Sequence, residues 1–408
     1  MRPDQAPEAA GRWPALAVLA SGVLLAMTTW FSASAVIPQL RAAWGLGTGA
    51  ASLLTISVQL GFVAGALASA AGNLADRVNP RRLILLGALG AACANAGLLW
   101  AHGLALALPL RALTGAFLAG VYPPSLKAMS TWFRRGRGTA LGIMVGALTL
   151  GSAAPQLVNG LGGVNWRVVI AVTSLLTVFG GLLAGLVGRD GPNPFPRAVF
   201  TPGAARRAFA DRGVRLATVG YFGHMWELYA MWAWAGVFAA AALRQHGVAD
   251  PNRGAAFAAF AVIGVGALGC WAGGILGDRW GRTRLTMLAM VLSGTSAVVI
   301  GFLRGGPLWL LLAVGLFWGF WVVADSAQFS TIITEVATQA YVGTALTVQL
   351  AAGFVLTVLT IYLVPVLSAR YTWTWAFAVL APGPALGAWA MLRLLRSPEA
   401  ARIAGGRG

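Results

Sequence analysis

The chain has 408 residues, of which 58% are hydrophobic and only 10% are charged. A soluble domain carries about 25% charged residues, so this composition excludes a water-soluble globular protein and predicts that lipid is the solvent. A net charge of +18 would suggest nucleic-acid binding in a soluble protein. Here the positive residues flank apolar runs, which indicates membrane topology instead.

Apolar runs long enough to cross a bilayer, which takes about 20 residues each, repeat along the whole chain. The first run, 14–38, is too long for a signal-peptide core and is predicted as a spanning helix. The predicted helices are 14–38, 46–73, 83–101, 105–128, 138–160, 167–188, 214–243, 255–276, 284–303, 307–330, 340–366 and 372–395.

The basic residues are distributed unevenly between the two ends of these helices. Of the 29 Lys and Arg residues, Arg111 falls inside a predicted helix and 6 lie at one set of ends, which leaves 22 at the other. The six are Arg41, Arg167, Arg244, Arg253, Arg304 and Arg370. Since the rich side of a membrane protein is cytoplasmic, both termini are predicted to lie in the cytoplasm.

The longest polar stretch lies in the middle of the chain, at about 189–213, and contains four prolines and several arginines. It is predicted to be a cytoplasmic linker between residues 1–188 and residues 214–408. A short amphipathic helix near Ala204–Arg212 on the membrane surface is one interpretation of its end, and a merely solvated linker is the other.

A compact charged turn occurs twice in the chain, each time between two long apolar runs. The sequences are Gly72-Asn73-Leu74-Ala75-Asp76-Arg77 and Gly274-Ile275-Leu276-Gly277-Asp278-Arg279. The glycines are 202 positions apart (274 − 72), and so are the aspartates (278 − 76). Repetition at half the chain length predicts two homologous halves, an arrangement found in transporters.

With these turns the chain resembles the major facilitator superfamily, in which G-x-x-x-D-R-x-G-R-R marks the loop after the second helix of each six-helix half. The second turn keeps Gly274, Asp278, Arg279, Gly281 and Arg282, with Thr283 where a second basic residue is expected. The first turn keeps Gly72, Asp76, Arg77, Arg81 and Arg82. The resemblance implies an all-α membrane protein of twelve transmembrane helices in two pseudo-symmetric halves.

The first turn departs from the motif where Asn79 replaces a glycine and Pro80 follows it. Because Asn tolerates a left-handed backbone, the turn is expected to survive this exchange. In the superfamily each aspartate docks at a helix start in the opposite half as a conformational latch. The resemblance implies that Asp76 meets helix 11 near Ala340 and that Asp278 meets helix 5 near Gly138.

A second family pattern, the antiporter motif G-x8-G-x3-G-P, is partly present in helix 5. Gly142 and Gly151 fit the spacing, and Ala154-Pro155 stands where Gly-Pro is expected one place later. The pattern is typical of efflux, but close helix packing alone also explains it.

Ionisable groups inside hydrocarbon are costly and are therefore functional candidates. His224 and Glu227 share one face of helix 7, and burial favours the protonated form of a carboxyl group, so the two form a proton-coupling candidate. Asp325 in helix 10 is a further proton-coupling candidate. The alternatives are a neutral Glu and His bonded to one another or to a neighbouring helix, and a gate ion pair between Asp325 and an arginine. Glu335 could likewise pair with Arg134 or Arg135.

Arg111 in helix 4 resembles the superfamily's R-x-x-x-G motif. It could bind an anionic substrate or hold the charge of a nearby proton carrier, or it could be a structural arginine bonded to carbonyls or polar groups of helix 1. The resemblance implies that helices 1, 4, 7 and 10 line a central cavity. Its candidate substrate-binding aromatic residues are Trp30, Tyr229, Trp232 and Trp321, although packing alone also explains them.

The sequence contains no nucleotide-binding loop, no H-E-x-x-H and no C-x-x-C pattern, so neither an enzyme nor a cofactor or metal site is predicted. Cys93 and Cys270 fall in apolar runs and are expected to be buried thiols. Arginine greatly outnumbers lysine, which weakly favours a bacterial source.

The prediction is a monomeric secondary transporter of a bacterial inner membrane, which uses alternating access and is driven by protons. A small organic or inorganic anion is the favoured substrate. The alternative is a proton-driven efflux antiporter for amphipathic or cationic compounds. A sensor or scaffold that does not transport is a third hypothesis, which the two intact turns disfavour.

Overall fold

The computed structural model describes residues 9–133, 136–193 and 201–408, and these residues form long crossing helices without a β-strand. The first set of helices is α1 (Arg12–Thr29), α2 (Gly49–Ala71), α3 (Pro80–Trp100), α4 (Leu104–Ser130), α5 (Arg137–Leu161) and α6 (Trp166–Val187). The second set is α7 (Arg212–Gln245), α8 (Pro251–Trp280), α9 (Arg282–Gly305), α10 (Leu308–Val336), α11 (Gln339–Tyr371) and α12 (Trp373–Leu395).

Among the described residues, eleven of these segments are long and apolar enough to cross a membrane, and α7 is not one of them. The sequence explains this exception, because α7 carries His224, Glu227 and several Tyr and Trp residues that lower its hydropathy. The same helix packs against α8, α11 and α12, and most of its middle is buried. The expected all-helical membrane fold is confirmed at this level.

The predicted helix 14–38 is shorter in the structure, and others are interrupted. The regular part of α1 stops at Ala26, and a separate short helix, Ile37–Trp44, follows after a loosely wound stretch. The hydroxyl of Thr28 donates to the Leu25 carbonyl at 2.8 Å, a local bond that competes with regular helix. We call the interruptions at Ala119–Val121 in α4, at Val265 in α8 and at Asp325 in α10 kinks.

The two sets of helices meet along α5 against α8 and along α2 against α11. Glycine makes the first of these contacts very close. A Cβ atom on Gly142 would lie 2.6 Å from the carbonyl oxygen of Cys270, and one on Gly274 would lie 2.6 Å from that of Gly138. Gly142 therefore has a packing role, since only small residues let helix backbones approach this closely in lipid.

The polar stretch between the two sets contains two short described helices, Pro202–Ala204 and Ala205–Ala208. The helix expected near Ala204–Arg212 is therefore only about one turn long. It ends because the Asp211 carboxylate accepts a hydrogen bond from the Gly213 amide at 2.7 Å and caps α7.

The expectation that both cysteines are buried is wrong for one of them. Cys270 is buried between α5 and α10, but Cys93 is exposed on the surface of α3. An apolar run does not specify which of its side chains face other helices and which face lipid, so composition alone could not separate the two.

Candidate functional site

A central cavity of about 510 Å³ lies between the two sets of helices. Its mouth carries Asp76, Lys127 and Arg137, at the end of the molecule where both repeated turns lie. The wall comes from α4, α7 and α10, as expected, but α2, α5 and α11 line it where α1 was expected. Most lining side chains are apolar or aromatic, which suits a solute with an apolar body.

At its inner end the cavity is closed by stacked aromatic rings that we call the aromatic plug. Its six residues are Trp30, Phe31, Phe62, Tyr229, Trp232 and Phe354. Five ring pairs join the first set to the second, with centroids 4.7–6.0 Å apart. Beyond the plug the two sets also meet on the far side, where a Cβ atom on Gly160 in α5 would lie 3.0 Å from the Phe257 ring in α8. Among the described residues, the plug therefore separates the cavity from the far side, and the mouth lies toward the repeated turns.

The predicted substrate-binding aromatics occupy different places. Tyr229 and Trp232 line the cavity and also belong to the aromatic plug. Trp30 is in the plug and is 2% exposed. Trp321 packs against Phe320, with ring centroids 5.1 Å apart, and is not grouped with the other three.

Arg111 is fully buried, and its guanidinium is occupied by neighbouring helices. It donates to the carbonyl oxygens of Thr29 at 2.9 Å, Trp30, and Leu54 at 3.3 Å. It also donates to the Asn95 side chain at 3.2 Å and the Ser32 hydroxyl at 3.3 Å. These contacts join α1, α2, α3 and α4 and correspond to the structural alternative, because they leave the guanidinium committed inside the first set.

Glu227 lies in the middle of α7, is 2% exposed, and bonds to two other helices of the second set. The Trp318 indole N–H in α10 donates to Oε1 at 2.6 Å, and the Ser293 hydroxyl in α9 donates to Oε2 at 2.8 Å. The Ser293 hydroxyl also lies 3.3 Å from the Met290 carbonyl. It can therefore turn to that carbonyl and accept a hydrogen bond from Glu227 when the carboxyl is protonated. The site accommodates both protonation states.

His224 pairs with Asp325 rather than with Glu227. Its Nδ1 lies 2.9 Å from Asp325 Oδ1, an ion-pair distance without aligned hydrogen-bond geometry, and both side chains are buried. His224 and Glu227 share a helix face but contact neighbouring helices and not one another, which is one of the alternatives that the sequence left open. The structure also gives Asp325 a histidine where the gate alternative required an arginine. The sequence could not show this, because the kink at Asp325 sets which residue faces α7.

The second turn forms an ionic network around Arg282, which is 7% exposed. The guanidinium lies 3.1 Å from Asp278 and 3.0 Å from Glu335, and donates to Gln328 at 2.9 Å. The Asp278 carboxylate also lies against Gly138 at the start of α5, where any Cβ would clash with it. This is the position expected for Asp278 from the family resemblance.

The turn itself requires Gly281, which has a φ of 102° that favours glycine. Gly274 lies within α8 and Arg279 is exposed near its end. Arg134 and Arg135, the other partners considered for Glu335, lie outside the described residues.

In the first turn Asp76 pairs with Lys127 of α4 at the cavity mouth, where the expectation was a contact with α11 near Ala340. Lys127 is the only lysine of the chain, and no motif pointed to it. Gly72 ends the α2 helix, and Arg77 is exposed on the one-turn helix that follows.

The left-handed residue of the first turn is Asn73, with a φ of 48°, and not Asn79. Asn79 is extended because Pro80 follows it, and a residue before proline avoids helical conformations. Its side chain instead caps α3 by accepting a hydrogen bond from the Arg81 amide at 2.9 Å. The expectation that Asn79 supplies the left-handed backbone is wrong for this reason.

In the described part of the chain, Arg81 contacts residues just after α6, the last helix of the first set, and not the second set of helices. It donates to Asp190 at 2.8 and 3.2 Å and to the Gly188 carbonyl at 2.6 Å. The hydrogen bond from Arg81 is the main cause that lowers the pKa of Asp190, and Asn79 adds to it from 2.8 Å.

A second cavity of about 410 Å³, which we call the lateral pocket, lies among α7, α8, α9 and α10 on the far side from the repeated turns. Its lining is apolar and includes Met231, Leu243, Phe257, Leu312 and Trp318. The Trp318 ring therefore contacts this pocket, and its indole N–H donates to Glu227. Among the described residues, no group of three or more His, Cys, Asp and Glu side chains could hold a metal ion.

The family model for the major facilitator superfamily matches residues 19–245, more than half of the chain. The chain belongs to the major facilitator superfamily. Within this superfamily, it is 35% identical over 192 residues to the multidrug efflux pump LfrA of Mycolicibacterium smegmatis. That match covers 45% of this chain and 37% of LfrA, so the chain matches little more than a third of that relative's length.

A likeness in fold extends over almost the whole chain. A crystal structure of a bacterial homolog of the human lysosomal transporter Spinster, inward-facing and unoccupied, matches with a TM-score of 0.67. The match covers 97% of both chains at 15% sequence identity. The chain is therefore a multi-pass membrane protein with a transporter fold.

Proposed function

We propose that this protein exports amphipathic organic compounds across a bacterial inner membrane in exchange for protons. It would work as a monomer of twelve spanning helices, with α7 as the twelfth, in two halves at residues 1–188 and 214–408. Both termini and the linker 189–213 would lie in the cytoplasm, together with the repeated turns. The central cavity would then be open to the cell interior.

The observation that carries this proposal is the composition of the cavity wall. Apart from the mouth, most of the lining is apolar or aromatic, with Tyr229, Trp232 and Phe354 at the inner end and a few uncharged polar residues such as Gln349. Such a wall holds an apolar body by area and ring contacts rather than by charge. The similarity to a protein named as a multidrug efflux pump supports the same direction of transport.

Proton coupling is assigned to Glu227, with the His224–Asp325 pair as a second candidate. Ionisable groups of this kind in a membrane interior mark proton relays. Glu227 bonds to α9 and α10, and the His224–Asp325 pair joins α7 to α10. A proton gained at either place changes the contacts between helices that line the cavity, which links protonation to the shape of the wall.

A small anion bound by Arg111 is now less well supported, because that guanidinium is committed to helix contacts. An anionic amphipathic compound remains the second candidate. It is favoured by the cavity mouth, where Lys127 and Arg137 stand against the single acidic residue Asp76.

The test uses proteoliposomes loaded with a panel of amphipathic dyes of positive, zero and negative charge, together with a pH-sensitive probe. Dye export accompanied by proton entry supports the proposal, and Glu227→Gln should abolish the proton movement. Glu399→Gln, the same change outside the spanning helices, is the matched control. Dye movement without protons would indicate a uniporter, and no solute-dependent flux with any dye would favour the sensor or scaffold hypothesis.

A further inference from the structure

The lateral pocket is a large apolar space that the transport cycle proposed above does not use. It is bounded by buried side chains such as Met231 and Trp318, and it reaches the surface at Leu312 and Val248. Leu312 is 41% exposed and lies one turn inside the membrane-spanning segment Leu308–Val336, so the opening faces the hydrocarbon just below the head groups.

Water is a poor occupant for this pocket. A buried water needs about two to four polar partners, and the lining residues present almost none. An empty apolar void loses stability in proportion to its volume. Hydrocarbon from the bilayer can fill the space without either cost.

The outer end of the pocket is surrounded by positive charge. Arg244 and Arg253 flank its lining residues Leu243 and Gly254, and both arginines are exposed. Arg304 lies on the neighbouring loop, which is joined to this one by a contact of 3.0 Å between His246 and the Gly306 carbonyl.

The acidic residue of the same loop does not cancel this charge. The Asp250 side chain accepts a hydrogen bond from the Arg253 amide and caps α8. Three arginines therefore stand against one aspartate at the level where lipid head groups lie.

We propose that the lateral pocket binds an acyl chain of an anionic phospholipid, with the head-group phosphate held by Arg244 and Arg253. The lining residues on α7 run from Met231 to Leu243, about 18 Å at 1.5 Å per residue, which suits a chain inserted from the outer leaflet. Arginine suits the phosphate because its planar fork can bind two oxygens at once.

The bound chain contacts the same indole that holds the proposed proton carrier. Trp318 lines the pocket, and its N–H donates to Glu227 at 2.6 Å. An acyl chain against the ring restricts the ring to the orientation that keeps this bond. The lipid thereby acts on Glu227 without entering the central cavity.

The experiment measures lipid retained by the full-length protein in mild detergent, using mass spectrometry of the intact complex. The probes are phosphatidylglycerol, phosphatidylcholine of the same chain length, and the free fatty acid. Ala258→Phe fills the pocket from α8, and Ala313→Phe is the control, since Ala313 is exposed on α10 outside the lining. Thermal unfolding verifies that each variant folds, and Ala239→Phe replaces Ala258→Phe if the latter does not.

We expect phosphatidylglycerol to be retained in preference to phosphatidylcholine, and Ala258→Phe to weaken its binding about tenfold by displacing buried methylene groups. Arg244→Gln and Arg253→Gln should each weaken phosphatidylglycerol about fivefold and leave phosphatidylcholine unchanged. Equal retention of both phospholipids, or equal loss in Ala258→Phe and Ala313→Phe, would overturn the proposal. Tighter binding of the free fatty acid than of phosphatidylglycerol would overturn the head-group assignment.

Discussion

Replacing Phe354 by leucine should release the far side of the transporter. Phe354 belongs to the second set of helices and is 5% exposed in the aromatic plug. Its ring lies 4.7 Å from Phe62 and 5.6 Å from Trp30, both in the first set. Leucine keeps most of the apolar volume but removes both ring pairs.

The size of the effect follows from these two contacts. An aromatic pair contributes about 0.5–1.5 kcal/mol beyond its buried area. If both pairs separate when the far side opens, their loss favours the open form by about 1–3 kcal/mol. Since about 1.4 kcal/mol is a factor of ten, the ratio of far-side-open to far-side-closed molecules rises roughly 5- to 150-fold.

Spin labels can measure this ratio as a distance distribution in lipid nanodiscs. Gly47 and Val366 are exposed positions close to the contact of Gly49 with Tyr362, so labels there report on the far side. Both natural cysteines are first replaced by serine. In Phe354→Leu we expect a longer-distance population that is absent or minor in the parent.

Phe354 also pairs with Tyr229 within the second set, so its replacement removes three ring pairs, two of them between the sets. The control is Phe238→Leu, which removes two ring pairs whose partners, Trp373 and Phe377, are both in the second set. A distribution in Phe354→Leu that equals the parent would refute the role of the plug. The same would follow if Phe238→Leu gave an equal shift, since the effect would then come from lost packing within one set.

Three further outcomes are expected. Asp278→Asn should change the ratio of far-side-open to far-side-closed molecules less than about fivefold, because a charge at a helix start contributes only about 0.3–1 kcal/mol. The contact of Asp278 with Gly138 also exists while the cavity is already open on that side. A change in this ratio larger than that of Phe354→Leu would contradict the prediction. Because Arg81 lowers the pKa of Asp190, its stabilisation is present above about pH 4 and is lost as the pH falls through the lowered pKa. The parent should therefore lose up to about 1 kcal/mol more stability than Asp190→Asn between pH 6 and pH 3 in thermal unfolding, and equal losses would count against the pair. Arg111→Lys should destabilise the protein by about 1–3 kcal/mol without changing its preference between anionic and neutral dyes, whereas a changed preference at unchanged stability would restore a substrate role.

The course of the helices was predictable because the bilayer leaves few alternatives. A backbone in hydrocarbon must satisfy its own hydrogen bonds, so each long apolar run becomes a helix of about the bilayer's thickness. The predicted helices 255–276 and 372–395 accordingly correspond to α8 and α12. The contact of Asp278 with Gly138 was also predictable, but from the family motif rather than from the residues alone.

The partners of the buried groups were not predictable from spacing. Glu227 and His224 share a helix face, yet Glu227 bonds to Ser293 and Trp318 while His224 pairs with Asp325. These choices depend on how α9 and α10 are rotated against α7, which apolar periodicity does not fix when a helix is buried nearly all round.

Two predictions for the first turn differ from the structure, those for the backbone of Asn79 and for the partner of Asp76. Pro80 excluded the left-handed conformation expected for Asn79, and this rule could have been applied beforehand. The pairing of Asp76 with Lys127 had one usable signal, namely that a lone lysine stands in a predicted membrane helix.

That lone lysine also makes the protein unusually simple to label. Lys127 carries the only side-chain amine in this sequence. A fluorophore or crosslinker that reacts with side-chain amines would therefore label a single position. Because Asp76 covers this amine at the cavity mouth, its reaction rate reports the local separation of α4 from the first turn. The labelling rate of one residue thus measures how often the Asp76–Lys127 pair at the cavity mouth separates.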